Sequence, residues 1–236
     1  MIEISEVNKH FGKLHILKDI RLSLQEGQCI ALIGPNGCGK TTLIKCILGM
    51  VLPNSGEITF DGHPIKEDIL YRRHIGYMPQ IGRYPENMTI GQIINMVKRI
   101  RNSDEGYDED LYEQFGIEKM LDKRMGTLSG GTTQKVSAVL AFLFKPKVLI
   151  LDEPTAGLDP LSAEFLKEKI IEEQKKGKLI LITSHLLSEL DDLISQVIFM
   201  QEGEMVFHQN VADLKAQTGT DKISKAIIHV LKQAQA

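Results

Sequence analysis
The stretch "CIALIGPNGCGKTTLIKCILG", residues 29–49, decides the fold. "CIALI" is a short apolar run of the kind a buried strand needs. It runs straight into Gly34–Thr41, a complete match to G-x-x-x-x-G-K-[ST]. After that loop Leu43, Ile44, Ile47 and Leu48 share one helical face, and Gly49 ends the helix. Strand, glycine-rich loop and helix together predict a nucleotide site. Gly37 and Gly39 let successive backbone N–H groups turn inward around phosphate oxygens, and the helix N-terminus adds partial positive charge. Lys40 reaches the β- and γ-phosphates, and the Thr41 hydroxyl is placed to ligate Mg²⁺. The nucleotide-binding residues expected here are Gly34, Pro35, Asn36, Gly37, Cys38, Gly39, Lys40, Thr41 and Thr42. Cys38 is a thiol at a helix N-terminus, or simply a small residue that fills its position.

A second apolar run, "VLILDEP" (148–154), ends in two acids. The carboxyl end of a parallel strand is where ligands bind, so Asp152 is expected to hold Mg²⁺ through water. Glu153 is expected to polarise the water that attacks the γ-phosphate. A third stretch, "TLSGGTTQKV" (127–136), carries two glycines behind a serine but no lysine. Ser129 reads as a helix cap, with Gly130 and Gly131 leaving the first N–H groups of the helix bare for an anion. It lies far along the chain from Lys40. A two-fold dimer brings the two loops together simply: each chain's "LSGG" closes over phosphates held by the other's "GPNGCGKTT".

The remaining pattern is α/β. Strand-like stretches fill residues 1–33 around turns at Gly12 and Gly27, and "EITFDG" and "HIGYMPQ" follow. From about 86 to 136 the character turns helical, with "MTIGQIINMVKRI" and "DEDLYEQFGIEKML" flanking an acidic stretch, "RNSDEGYDED", that reads as a solvated loop. "KVLILDE", "LSAEFLKEKIIEEQKKG" and "KLILITSH" resume the strand–helix–strand order, and "QVIFMQEGEMVFH" reads as a hairpin turning at Glu202–Gly203. Ile223, Ala226, Ile227 and Val230 share a face of a C-terminal amphipathic helix, expected to pack on the core.

With 236 residues, 42% hydrophobic and 25% charged, the composition is that of an ordinary globular chain with a sizeable core. The net charge of −3 gives no general drive toward nucleic acid or an anionic membrane. Three cysteines without zinc spacing point to a reducing compartment. No signal peptide is expected. No run approaches the ~20 apolar residues of a spanning helix, so a membrane part would have to come from another chain.

These motifs, in this order and spacing, resemble the ATP-binding subunit of ABC transporters over essentially the whole chain. Gln80 in "YMPQ" matches the glutamine of the lobe hinge, Leu128–Gly131 with Gln134 the family signature, "AGLD" ending at Asp159 the dimer-contact loop, and His185 in "TSH" the switch histidine. The resemblance implies an α/β fold: a P-loop NTPase core with a mainly parallel sheet, an N-terminal antiparallel β subdomain and an inserted helical lobe. It implies an ATPase domain over 1–217 and a C-terminal helix over 218–236. By the same resemblance Gln80 senses Mg²⁺ and the γ-phosphate, His185 contacts the γ-phosphate and helps catalysis, and Asp159 reports across the dimer or caps a helix. Phe11, where Tyr is more usual, stacks on adenine or packs in the core. Lys135 stands where Arg is usual, and Thr132 and Thr133 where longer polar residues are common.

ATP and Mg²⁺ are the implied ligands. The implied partners are a second copy or a second ATPase subunit, together with transmembrane subunits, and no nucleic acid. The implied location is the cytoplasmic face of the cell membrane, with residues 81–92 as the contact surface. The signature and the short tail also resemble ATPases of copper-processing or nitrous-oxide-reductase maturation systems. Two other classes carry such motifs. Soluble ATPases acting on ribosomes or DNA usually have two cassettes or a coiled coil, and this chain has one cassette and no heptads. A nucleotide-gated regulator would bind ATP and barely hydrolyse it.

Overall fold
A computed structural model describes residues 1–101, 106–184 and 193–234, with side chains through residue 230. The chain forms two compact units, Met1–Tyr71 with Leu179–Ala236, and Arg72–Lys178.

The first unit opens with β1 (Ile2–Phe11) and β2 (Leu14–Leu24), an antiparallel pair turning at Gly12. Next come β3 (Cys29–Ile33), α1 (Lys40–Ile47), β4 (Ser55–Phe60) and β5 (His63–Pro64). Strands β2, β1, β4 and β5 make an antiparallel sheet in that order. Its β1 residues Ile2, Ile4 and Val7 point into the core, and register shifts after Ile4 mark bulges in the strand.

The second unit holds β6 (Ile75–Met78), α2 (Ile90–Arg101), α3 (Asp110–Gln114), α4 (Gly130–Phe142), β7 (Val148–Asp152) and α5 (Pro160–Lys175). Strands β6 and β7 are parallel, and α2–α4 form the helical insert between them. The chain then returns to the first unit with β8 (Leu179–Thr183), β9 (Gln196–Gln201), β10 (Glu204–Asn210), α6 (Val211–Thr218) and α7 (Ile223–Ala234). Strand β3 runs parallel to β8 on one side and to β9 on the other, with β10 antiparallel to β9. The fold is α/β, with an antiparallel N-terminal sheet, mainly parallel core strands and a helical insert. Every residue of β3, β7 and β8 is buried. Such strands read as continuous apolar runs because neither face meets water.

The hairpin turns where expected: Glu202 and Gly203 both have positive φ, at 50° and 85°, the type I′ geometry that matches strand twist. On α7, Ile223, Ala226 and Ile227 are buried and Val230 is partly covered. Two expectations fail. "DEDLYEQFGIEKML" is not one helix, because Gly116 adopts φ 62° and splits it into α3 and a short 3₁₀ turn over Ile117–Met120. The acidic stretch is not simply solvated. Asp108 and Asp110 bind the Lys169 ammonium at 2.7 and 2.5 Å, while the Lys169 side chain is 3% exposed and that of Asp108 9%. Glu173, also buried, lies 3.4 Å away. Burial alone would pull the lysine pKa down. The Asp108 and Asp110 carboxylates outweigh it and hold the lysine charged.

Candidate nucleotide site
The phosphate loop belongs to the first unit. Gly34, Gly37 and Gly39 have φ of 151°, 80° and 108°. A Cβ on Gly34 would lie 2.1 Å from the Met200 carbonyl oxygen, and one on Gly39 would lie 2.8 Å from that of Ile16. The loop can follow this path only with glycine at those points. Gly39 precedes α1 with no side-chain cap, so the first N–H groups of the helix keep their donor capacity for an anion. Lys40 Nζ donates to the carbonyl oxygens of Gly34 (2.7 Å) and Pro35 (3.1 Å) and lies 3.8 Å from Cys38 Sγ. Its ammonium therefore rests inside the curl of the loop. Cys38 is buried and its carbonyl oxygen accepts from Gly203 N–H at 3.1 Å, which ties the hairpin turn to the loop. Pro35, Asn36, Gly37 and Thr41 are exposed, Thr42 is partly covered, and the Thr41 hydroxyl has no hydrogen bond among the described residues. Open N–H groups, an ammonium and a hydroxyl at one helix start fit a magnesium-bound polyphosphate.

The acid turn belongs to the second unit. Asp152 and Glu153 are both buried within the chain, at 7% and 9% exposure, rather than standing free at a strand end. Glu153 has φ 52°, a backbone state that costs a non-glycine residue ~1 kcal/mol or more. Near it Tyr77 is pushed up to about 12 by burial and by the Asp152 charge.

The signature turn is in the same unit. Ser129 caps α4: its Oγ accepts from Thr132 N–H at 3.3 Å and lies 2.9 Å from Thr132 Oγ1. Ser129 and Gly130 are exposed, while Gly131 packs so tightly that a Cβ there would lie 2.5 Å from the Gly157 carbonyl oxygen. Two side chains further along α4 finish the junction. Gln134, buried, donates from Nε2 to the Glu153 carbonyl oxygen at 3.4 Å, and Lys135 Nζ lies 2.7 Å from Asp159 Oδ2. Asp159 also caps α5, accepting from Ser162 N–H at 3.0 Å and Ser162 Oγ–H at 2.7 Å. The Lys135 ammonium first, then the two Ser162 donors, hold its carboxyl far below the usual carboxylate range. The signature helix, the acid turn and the "AGLD" loop thus form one fixed block. Sequence reasoning placed the motifs and missed Lys135 as the clasp, although its sign and its position one turn into α4 were visible.

Gln80 is exposed in the bend after β6. The segment that follows is bolted to α4: Tyr84 Oη lies 2.9 Å from the buried Ser137 Oγ, and a Cβ on Gly82 would meet that oxygen at 2.4 Å. Gly126 N–H donates to the Glu86 carbonyl oxygen at 3.0 Å and Met125 N–H to that of Met88 at 2.9 Å. A lone hydroxyl in the apolar run "VSAVLAF" was the available signal for Ser137. Phe11, in the first unit, is 51% exposed at the end of β1, with Lys9 Nζ 5.0 Å from its ring centroid. His185 lies outside the described residues.

The family model for ABC transporters matches residues 17–156. The ABC transporter ATP-binding protein YdbJ of Bacillus subtilis (strain 168) is 36% identical, over 100% of this chain and 76% of its own length. A solved ATP-binding subunit of an ABC transporter superposes with a TM-score of 0.90 at 28% identity, covering 98% of this chain and 99% of that one. A dimeric post-hydrolysis structure of the ATP-binding cassette MJ0796, bound to ADP and Pi, shares the fold at a TM-score of 0.79 and 22% identity, covering 89% and 99%.

Proposed function
The chain belongs to the ABC transporter family, as an ATP-binding subunit, and from that premise we propose that it is an ATP-hydrolysing motor working as a pair of cassettes beneath separate membrane-spanning subunits. The phosphate loop of one copy, Gly34–Thr42, holds the triphosphate, and Phe11 stacks on the base. The turn Ser129–Gly131 of the second copy closes over the phosphates and supplies bare N–H donors where charge develops. Glu153 orients and polarises the attacking water. His185 steadies the water from the γ-phosphate side, and Asp159 carries the state of one site toward the other. Thr41, Asp152 and Gln80 would hold Mg²⁺. Bound with the nucleotide, that ion would supply positive charge to offset the phosphates.

Closure is transmitted through Gln80 and the segment 81–92, which Tyr84 and Ser137 join to the signature helix. No helix among the described residues is long and apolar enough to cross a membrane; in this reading partner chains span it, this chain sits at its cytoplasmic face, and no nucleic-acid partner is expected. Cargo selection then lies with the membrane partner.

The observation that carries the cross-chain site is Gly130. Its φ is not positive and a Cβ there would meet nothing within 4 Å. Nothing among the described residues requires glycine at that exposed place, and a bare backbone there suits close approach by a second copy. The test is Glu153→Gln. ATP hydrolysis falls at least ~100-fold, and with ATP the mass in solution doubles. Equal rates for parent and variant would remove Glu153 from catalysis. A persistent monomer at high protein and ATP concentration, in the variant and in the assembled membrane complex alike, would remove the sandwich.

A further inference from the structure
In the first unit, where β10 runs into α6, a cleft of ≈ 390 Å³ opens away from the phosphate loop. Gln28 and Gln196 contribute from the starts of β3 and β9; His208, Gln209 and Asn210 from the end of β10; Asp213 and Gln217 from one face of α6. The volume is that of a small-molecule site, but such sites are mostly apolar. Here all seven side chains are polar and five are carboxamides, each able both to donate and to accept. Some are already paired: His208 Nε2 lies 2.7 Å from Gln196 Oε1, Asn210 Nδ2 donates to Asp213 Oδ2 at 3.3 Å, and Gln28 Oε1 accepts from Gln25 N–H at 2.8 Å. Gln209 Oε1 is not. It is buried and has no hydrogen-bond partner among the described residues, a state folded proteins rarely leave unexplained.

The charge balance narrows the ligand. No lysine or arginine lines the cleft, and burial favours the neutral form of His208. Asp213 is then the one acidic lining group, and a phosphate or carboxylate would enter with no cation to meet it. A zwitterionic amino acid could pair its ammonium with Asp213 but would leave its carboxylate without a cation. An apolar ligand would strip water from seven polar side chains without replacing it. A cation would find a single carboxylate, already held by Asn210 Nδ2 at 3.3 Å, and no second anion, so the lining favours a neutral molecule polar on all sides. We propose that this cleft binds a small neutral polyhydroxyl compound of hexose or hexitol size, held by the carboxamides and Asp213.

The same hairpin reaches the phosphate loop at its other end. Gly203 N–H bonds the Cys38 carbonyl oxygen at 3.1 Å, and Met200 in β9 sets the clearance at Gly34. A ligand that braces β9, β10 and α6 therefore alters how the loop holds nucleotide. Binding in the cleft is independent of the function proposed above; this coupling rests on it.

Calorimetry and saturation-transfer NMR on the full chain, with D-glucose, D-mannitol and myo-inositol as probes and glucose 6-phosphate as the anionic control, test the site. At least one neutral probe binds with Kd below about 1 mM, and the phosphorylated control binds at least about tenfold more weakly. Gln209→Leu and Gln217→Leu each weaken the neutral probe about tenfold or more. Gln209→Leu does so without lowering Tm, since it removes an unpaired oxygen, and Gln217 is exposed, so neither loss is one of folding. No neutral probe below that threshold, equal binding by both variants, or an equally tight phosphate ester overturns the proposal. Saturating neutral probe also shifts the affinity for a fluorescent ATP analogue at least about threefold. Sugar binding with an unchanged analogue affinity overturns the coupling. An analogue that does not bind at all counts against the nucleotide site and leaves the cleft standing.

Discussion
The chain carries two glycine-rich turns at helix N-termini, and glycine serves opposite ends in them. In the loop Gly34–Thr41 it is needed by the chain itself: three glycines have positive φ and two sit against backbone oxygens of neighbouring strands. No side chain caps the helix that follows. At Ser129–Gly131 a side chain does the capping and neither glycine needs an unusual φ. Gly131 is glycine for internal packing. Gly130 faces open space. The first turn therefore needs glycine for its backbone path, whereas at the second Gly130 keeps a surface bare.

Substitution to alanine grades that contrast. Gly34→Ala has the largest effect, because the new methyl meets the Met200 carbonyl at 2.1 Å and strand backbone cannot yield. Thermal unfolding should show a loss of about 3–5 kcal/mol. Gly131→Ala meets the Gly157 carbonyl of a loop at 2.5 Å and should cost about 1–3 kcal/mol. Asp159→Asn comes next, with a smaller drop in Tm.

The Asp159 effect has a defined pH window. Its carboxyl titrates below its unfolded value because Lys135 and Ser162 favour the charged form. Its contribution is complete above the unfolded pKa of about 4 and fades as pH falls toward the folded value. The Tm gap between parent and Asp159→Asn should stay constant from neutral pH to about pH 5 and shrink below about pH 4. Gly130→Ala closes the series with stability within about 0.5 kcal/mol of the parent, yet ATP-driven pairing and hydrolysis fall about tenfold or more. A Gly130→Ala protein as unstable as Gly131→Ala would erase the distinction between the two turns.

The fold was readable wherever one local signal sufficed. "CIALI", "VLILD" and "LILIT" are strands because each is a five-residue run buried on both faces. Glu202–Gly203 marks its own hairpin, and Ser129 and Asp159 cap the helices that follow them. The phosphate loop is legible because its chemistry is contiguous. What stayed hidden depends on residues that meet only after folding. Asp108 and Lys169 lie far apart in the chain, and nothing in "RNSDEGYDED" distinguishes an anchored acid from a hydrated one. Tyr84 and Ser137 pose the same problem, as do Lys135 and Asp159. Burial of Asp152 and Glu153 is likewise a product of the folded chain, which a strand-end reading leaves open.

Lys169, buried with Asp108 and Glu173, faces four carboxylates, from those two and from the half-exposed Asp110 and Glu172. Slipping α5 by a single residue would rotate that ammonium about 100° away from its carboxylates and leave charges of both signs uncompensated. The second unit thus carries an internal check on its own alignment, because a shifted α5 would separate a buried ammonium from the carboxylates that compensate it.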